Sequence, residues 1–232
     1  LLILSLAVTP LRQDLRWPGL IHVRRMIGVA AFCYTLVHLV GFFFDQKLDW
    51  FVIAREIALR FYLTIGFVVL LMLVALASTS TDGMMKRMGG KAWQKLHYLA
   101  YPAMLLAVVH FFLQSKIGVA EPTVLAGLFV WLMAHRLIVR QRAQKGEGLS
   151  PVALGLLTLG VAALTVLGEA GYFAAFTGID PWRVLNANLD FVGQRPAWVV
   201  LMIGIGVAVL AALRRLSLPA FKAKQPRVAV GR

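Results

Sequence analysis

The chain has 232 residues, of which 60% are hydrophobic and only 15% charged, and its mean hydropathy is +0.78. That is too little polar surface to wrap a water-soluble core, so lipid is the solvent for most of the chain. A formal net charge of +14 would suit nucleic acid if it formed one basic face; its distribution along the chain excludes that partner.

The first apolar run, residues 1–9, stops before Pro10 and reaches only about 14 Å at helical rise. With Leu at position 1, it is expected to be the tail of a helix that starts upstream. Six longer runs follow, at about 26–44, 61–79, 96–114, 119–135, 152–175 and 197–213. Each is near the roughly 20 residues that cross about 30 Å of hydrocarbon. The expected fold class is all-α: a polytopic transmembrane helix bundle of six spans plus a truncated N-terminal helix. The segment 141–151, with Gly146, Gly148 and Pro151, is the clearest linker, separating four spans from a C-terminal pair. Residues 139–151 are expected to be a cytoplasmic linker, 152–218 a C-terminal pair of helices, and 219–232 a basic, disordered cytoplasmic tail. The single cysteine, Cys33, lies mid-helix, and there is no C-x-x-C-H pattern, so any haem is held by coordination and packing alone.

Basic residues cluster in alternate loops. One group is Arg12, Arg16, Arg24 and Arg25; the next is Lys86, Arg87, Lys91 and Lys95. Then come Arg136, Arg140, Arg142 and Lys145, and finally Arg214, Arg215, Lys222, Lys224, Arg227 and Arg232, which together make 18 of the 24. The intervening loops are balanced: Lys47, Arg55 and Arg60 against Asp45, Asp49 and Glu56; Lys116 against Glu121; Arg183 and Arg195 against Asp180 and Asp190. This alternation follows the positive-inside rule and places the basic loops in the cytoplasm of a multi-pass inner-membrane protein. The basic loops also face membrane lipid headgroups, and nucleic acid is excluded as a partner.

Five histidines occur, and their depths differ. His38 lies about 20 Å into its helix from Arg25, and His110 about 22 Å into another from Lys95. Two imidazoles level with each other on neighbouring helices can clamp a haem iron from both sides. The alternative for each is a hydrogen bond to a carbonyl across the bundle, but ionisable residues inside spans are rare and usually functional. His97 is on the same predicted helix as His110, about 19 Å nearer the cytoplasm, a separation that fits two stacked redox centres. Pro102 between them can kink that helix. Arg24, 14 residues before His38 on nearly the same face, is a candidate partner for a haem propionate or a flavin phosphate, or else an ordinary interface anchor. His22 and His135 are expected to be solvated at the cytoplasmic interface. Glu169 is expected at the outer interface, with proton handling at a quinone site as the functional alternative.

The runs RRMIGVAAFCYTLVHL at 24–39, LASTSTDGMMKRMGGKAWQKLHYLAY at 76–101 and VVHFF at 108–112 resemble the haem-binding membrane subunits of bacterial protein-methionine-sulfoxide reductase systems, the MsrQ or YedZ-like family; the opening LAVTPLRQDLRWPGLIHVRR is similar too. The resemblance covers about residues 1–138 and implies a ferric-reductase-like transmembrane domain there. It implies b-type haem, and FMN as a further cofactor, with the family's histidines falling on His38, His97 and His110. It also implies an electron-transfer subunit, the substrate chemistry residing in a partner. Electrons would come from a cytoplasmic flavin reductase or the quinone pool and go to a periplasmic molybdenum-cofactor subunit that reduces methionine sulfoxide. The C-terminal pair of spans exceeds the family's shorter members.

Two other readings stay open from the residues. One is a cytochrome b-type ferric or quinone-linked reductase, against which stands the lack of a long soluble nucleotide-binding domain. The other, of a different class, is a small-solute or proton transporter with His38 and His110 lining the path; no inverted repeat or pair of broken helices supports it.

Overall fold

The computed structural model describes residues 1–115, 118–141, 148–190 and 195–217, and the elements among them are all helical. The expected positions Lys116, Arg142, Lys145 and Gly146, and the tail beyond residue 217, lie outside the described residues. Among the described residues, six helical stretches are long and apolar enough to cross a bilayer: Pro18–Asp45, Phe61–Ser78, Gly90–Gln114, Ala120–Gln141, Pro151–Thr177 and Pro196–Ser217. They coincide with the six expected runs, and the chain is a multi-pass membrane protein.

The N-terminal run does not stop at Pro10. It forms α1, Leu2–Asp14, with Pro10 inside it. Proline has no N–H for the carbonyl four residues back, which is normally destabilising. Here Leu6 O, the carbonyl so deprived, accepts a hydrogen bond from Arg136 Nη2 at 2.6 Å. A residue far along the chain therefore keeps α1 continuous, which no local pattern could reveal.

α2, Ile21–Asp45, is followed by the short α3, Trp50–Leu59, and then α4, Phe61–Ser78. Asp49 starts α3 by accepting from the Phe51 and Val52 N–H groups at 3.0 and 3.1 Å. α4 ends in hydroxyl caps: Thr79 Oγ1 donates to Ala75 O at 2.7 Å and Ser80 Oγ to Leu76 O at 2.6 Å, satisfying carbonyls that have run out of helix. Thr81 accepts from Met84 N–H at 3.2 Å and so opens α5, Asp82–Met88.

The third expected span is broken. α6, Gly90–His97, and α7, Ala100–Gln114, are separated by a turn at Tyr98 and Leu99. Pro102 explains the break, because its ring crowds the Tyr98 carbonyl and cannot donate to it; Tyr101 N–H takes that carbonyl in a tighter turn at 3.1 Å. α8 is Ala120–Gln141, α9 Pro151–Thr177, α10 Pro181–Leu189 and α11 Pro196–Ser217.

Neighbours run α2, α4, α7, α8, α9, α11, with α1 laid across α2, α7 and α8. In lipid, apolar burial between helices is worth little, and close approach of small residues takes its place. A β-carbon on Gly204 would stand 2.4 Å from Thr158 Oγ1, and one on Gly127 2.7 Å from Thr165 Oγ1. Those contacts set α11 and α8 directly against α9. The large apolar side chains, such as Val37, Leu71, Leu156 and Met202, point outward, as a lipid-facing surface requires.

Candidate functional site

A cavity of about 900 Å³ opens between α1, α2, α4 and α7, and both His38 and His110 line it. The remaining wall is chiefly apolar, including Phe67, Leu70, Leu73 and Met104. α2 delivers His38 and α7 delivers His110, so the two expected partners share one chamber.

His110 is locked in place. Its Nδ1 lies 2.7 Å from the Tyr62 carbonyl on α4, so Nδ1 carries the proton and Nε2 keeps its lone pair. A β-carbon on Gly66 would approach His110 Cε1 to 2.9 Å and Nδ1 to 3.1 Å. Glycine at 66 is thus what lets the ring lie against α4. Tyr62 and Gly66 escaped the sequence reading, although a glycine inside an apolar helix is costly and can signal close approach. His38 is exposed to the cavity and has no hydrogen-bond partner among the described residues. The alternative of a carbonyl partner therefore does not apply to it.

The donor chemistry suits an axially ligated haem. An imidazole with Nδ1–H fixed on a carbonyl and Nε2 free is the usual metal-ligating arrangement, and a mostly apolar chamber of this volume is that of a cofactor site. Among the described residues no three His, Cys, Asp or Glu side chains converge. Two imidazoles lining one chamber would suit haem, whose macrocycle supplies the iron's other ligands.

His97 does not line this cavity. It ends α6, with Nδ1 3.0 Å from Trp93 O and its ring stacked on the Trp93 indole at 3.7 Å between centroids. Trp93 Nε1 in turn donates to Thr79 O at 2.8 Å, which ties α6 to the capped end of α4. Nε2 of His97 faces only the Ser80 hydroxyl, at 3.4 Å. His97 therefore shares with His110 an Nδ1 directed at a backbone carbonyl, but outside the chamber. Arg24 is within electrostatic reach of His97. A second chamber, about 580 Å³ between α7, α8 and α9, is lined by Phe112, Thr165 and Tyr172 and holds no histidine.

Two expectations need correction. His22 is exposed, as expected of a solvated residue, but His135 is not: its side chain is 1% exposed and pairs, Nε2 to Oδ2 at 2.9 Å, with Asp14, itself 0% exposed. Asp14 Oδ1 also accepts from Leu149 N–H at 2.8 Å. The pair spans 121 positions of sequence and joins α1, α8 and the lead into α9. Glu169 is likewise buried, 4% exposed, with Arg195 Nη1 at 3.5 Å and the Asn188 amide donating at 3.0 Å. It binds α10 to α9 and is therefore not a solvated interfacial residue. The reason is the same in both cases: the partner that makes burial tolerable comes from another helix.

Fold and site together define a class, a helical membrane domain with imidazoles facing one inner chamber; residues 1–108 match the family model described as the ferric reductase like transmembrane component. Over 144 residues the chain is 45% identical to the protein-methionine-sulfoxide reductase heme-binding subunit MsrQ of Rhodospirillum rubrum, which covers 61% of this chain and 69% of the relative. It is 43% identical over 146 residues to the subunit of the same name from Xanthomonas campestris pv. campestris, covering 62% of this chain and 66% of that one. The corresponding subunit of Xanthomonas axonopodis pv. citri is 43% identical over 137 residues, covering 59% of this chain and 62% of the relative. The chain belongs to the MsrQ family. It spans slightly under two thirds of the Xanthomonas relatives and slightly over two thirds of the Rhodospirillum one. No solved structure matches it.

Proposed function

We propose that the chain is the membrane electron-transfer subunit of a methionine sulfoxide reductase system, and that His38 and His110 are the axial ligands of a b-type haem in the chamber between α2, α4 and α7. The observation that carries this reading is the pairing itself: a carbonyl-locked imidazole and an unpartnered one lining the same mostly apolar chamber. When bound, haem supplies a reversible one-electron couple whose potential depends on its ligands and burial. The chain's part is to orient His110 through Tyr62 and Gly66, present His38 without a competing partner and exclude water. His97, similarly oriented by Trp93, is proposed as a ligand of an inner centre, so that two levels of the bundle relay charge.

The basic side carrying α5 and α6 is proposed as cytoplasmic, in a bacterial inner membrane. Lys86, Arg87 and Lys91 are exposed there and would receive a flavin reductase, with a quinone as the other donor. FMN is proposed as a second cofactor on the strength of the family resemblance. The acceptor is proposed to be a periplasmic molybdenum-cofactor subunit docking near α3 and the end of α7, with the reduction of methionine sulfoxide carried out there. Residues 1–138 form the haem-binding unit in this reading, and α9 to α11 support it. One preparation tests it: purified protein should show a dithionite-reduced b-type Soret and α band, and pyridine haemochrome and flavin assays should give defined stoichiometries. Colourless protein would overturn the electron-carrier reading in favour of transport, and absence of flavin would remove FMN alone.

A further inference from the structure

Arg136 reaches across to α1, giving Nη2 to Leu6 O at 2.6 Å and Nη1 to Leu132 O at 3.3 Å, with its guanidinium 5.4 Å from the Tyr101 ring centroid. Ser5 Oγ touches Arg24 O at 3.4 Å, which sets α2 against the same helix. Arg12 and Arg136 are both within electrostatic reach of Arg24. All three arginines are half-buried. The guanidinium groups of Arg12 and Arg24 have no acceptor among the described residues, and Arg12 Nε is buried without a partner.

Three positive charges so placed repel one another, and nearby acidic groups do not relieve them. Asp14 is committed to His135 and Leu149, and Asp82 to Arg25. None of the three arginines lines the chamber of His38 and His110. An anion with several acceptor oxygens would relieve that repulsion, because guanidinium forks match phosphate. The group lies at the basic ends of α1, α2 and α8, and Trp17 beneath Arg214 at 4.9 Å and Tyr101 mark the headgroup level there. Basic pockets between spanning helices at this level hold anionic lipid headgroups.

We propose that Arg12, Arg24 and Arg136 form a site for the phosphate of an anionic phospholipid, phosphatidylglycerol or cardiolipin. This stands independently of the haem assignment. Haem propionate and flavin phosphate, the occupants expected at Arg24 from the sequence, offer related oxyanion chemistry, so the experiment separates them.

Delipidated protein is titrated with phosphatidylglycerol, phosphatidylcholine, inorganic phosphate and FMN, read by native mass spectrometry and by thermal unfolding. Phosphatidylglycerol should bind and raise Tm, phosphatidylcholine and inorganic phosphate should not, and any binding of FMN should be the same in Arg12→Gln as in wild type. Arg12→Gln and Arg24→Gln should each weaken phosphatidylglycerol binding roughly fivefold, with haem and flavin content unchanged in Arg12→Gln; Arg140→Gln, with the same charge change on an exposed arginine of α8, should bind like wild type. Equal affinity in the Arg12→Gln, Arg24→Gln double variant and wild type would overturn the site. A loss of haem or of FMN binding in step with the substitutions would make it a cofactor anchor instead, and an equal shift from inorganic phosphate would make it a site for soluble anions. Should the double variant fail to fold, the wild-type arms still decide, since equal response to the zwitterionic lipid contradicts the proposal.

Discussion

The His110 ring is held against α4: the Tyr62 carbonyl takes its Nδ1 at 2.7 Å, and the bare backbone of Gly66 lies beside its Nδ1 and Cε1 atoms. Gly66→Ala should push the imidazole off that position. Low-temperature electron paramagnetic resonance should then show shifted g values or a high-spin fraction, with haem content reduced but not abolished; a spectrum identical to wild type would mean that the ring contact does not set the ligand. The buried Asp14–His135 pair makes a different kind of prediction. His135→Ala leaves a buried carboxylate with only the Leu149 amide, at a cost of about 3 kcal/mol, and should lower Tm sharply. Replacing both members by Leu should cost less than either single change, which a double-mutant cycle in thermal unfolding checks. That His38 and His110 line one chamber was foreshadowed in the sequence, because counting at 1.5 Å per residue from flanking charges needs no tertiary information. Tyr62, Gly66 and Asp14 were not, since each acts on a residue tens to more than a hundred positions away.

At the scale of the helices, hydropathy found all six spans because a bilayer demands nearly the same length from each. It missed what other helices decide. α1 runs through Pro10 because Arg136 takes the freed Leu6 carbonyl, and the third span divides at Tyr98 because Pro102 cannot take its neighbour's carbonyl. The short helices α3, α5 and α10 did carry local signals in their capping residues Asp49, Thr81 and Asp180, but short amphipathic stretches compete poorly with long apolar runs in such a reading. Packing of α11 on α9 rests on Gly204 against Thr158. Gly204→Ala should lower stability by about 2 kcal/mol through overpacking, read as a lower Tm in thermal unfolding; an unchanged Tm would show that this contact does not set the helix spacing.

For the whole molecule, the sequence puts its basic residues in alternate loops, and His97 stands outside the chamber that His38 and His110 line. Lys86 and Arg87 stand exposed on α5, where they would raise the encounter rate with an acidic donor. The Lys86→Glu, Arg87→Glu variant should slow reduction by a flavin reductase at low ionic strength and flatten its salt dependence, with dithionite reduction unaffected. Stopped-flow absorbance at several salt concentrations measures both; unchanged rates at low salt would move the donor surface elsewhere. The alternation of basic and balanced loops was readable from the sequence, whereas the depth of His135 and Glu169 in the bundle was not, because each is buried by a partner from a different segment.

The haem content of His38→Ala, His110→Ala and His22→Ala, purified side by side and quantified as pyridine haemochrome per folded protein, bears most directly on the ligand pair. Loss of most haem from the first two with the third unchanged is expected. Equal haem in all three would contradict ligation by His38 and His110 and, with it, the route for electrons through this chamber.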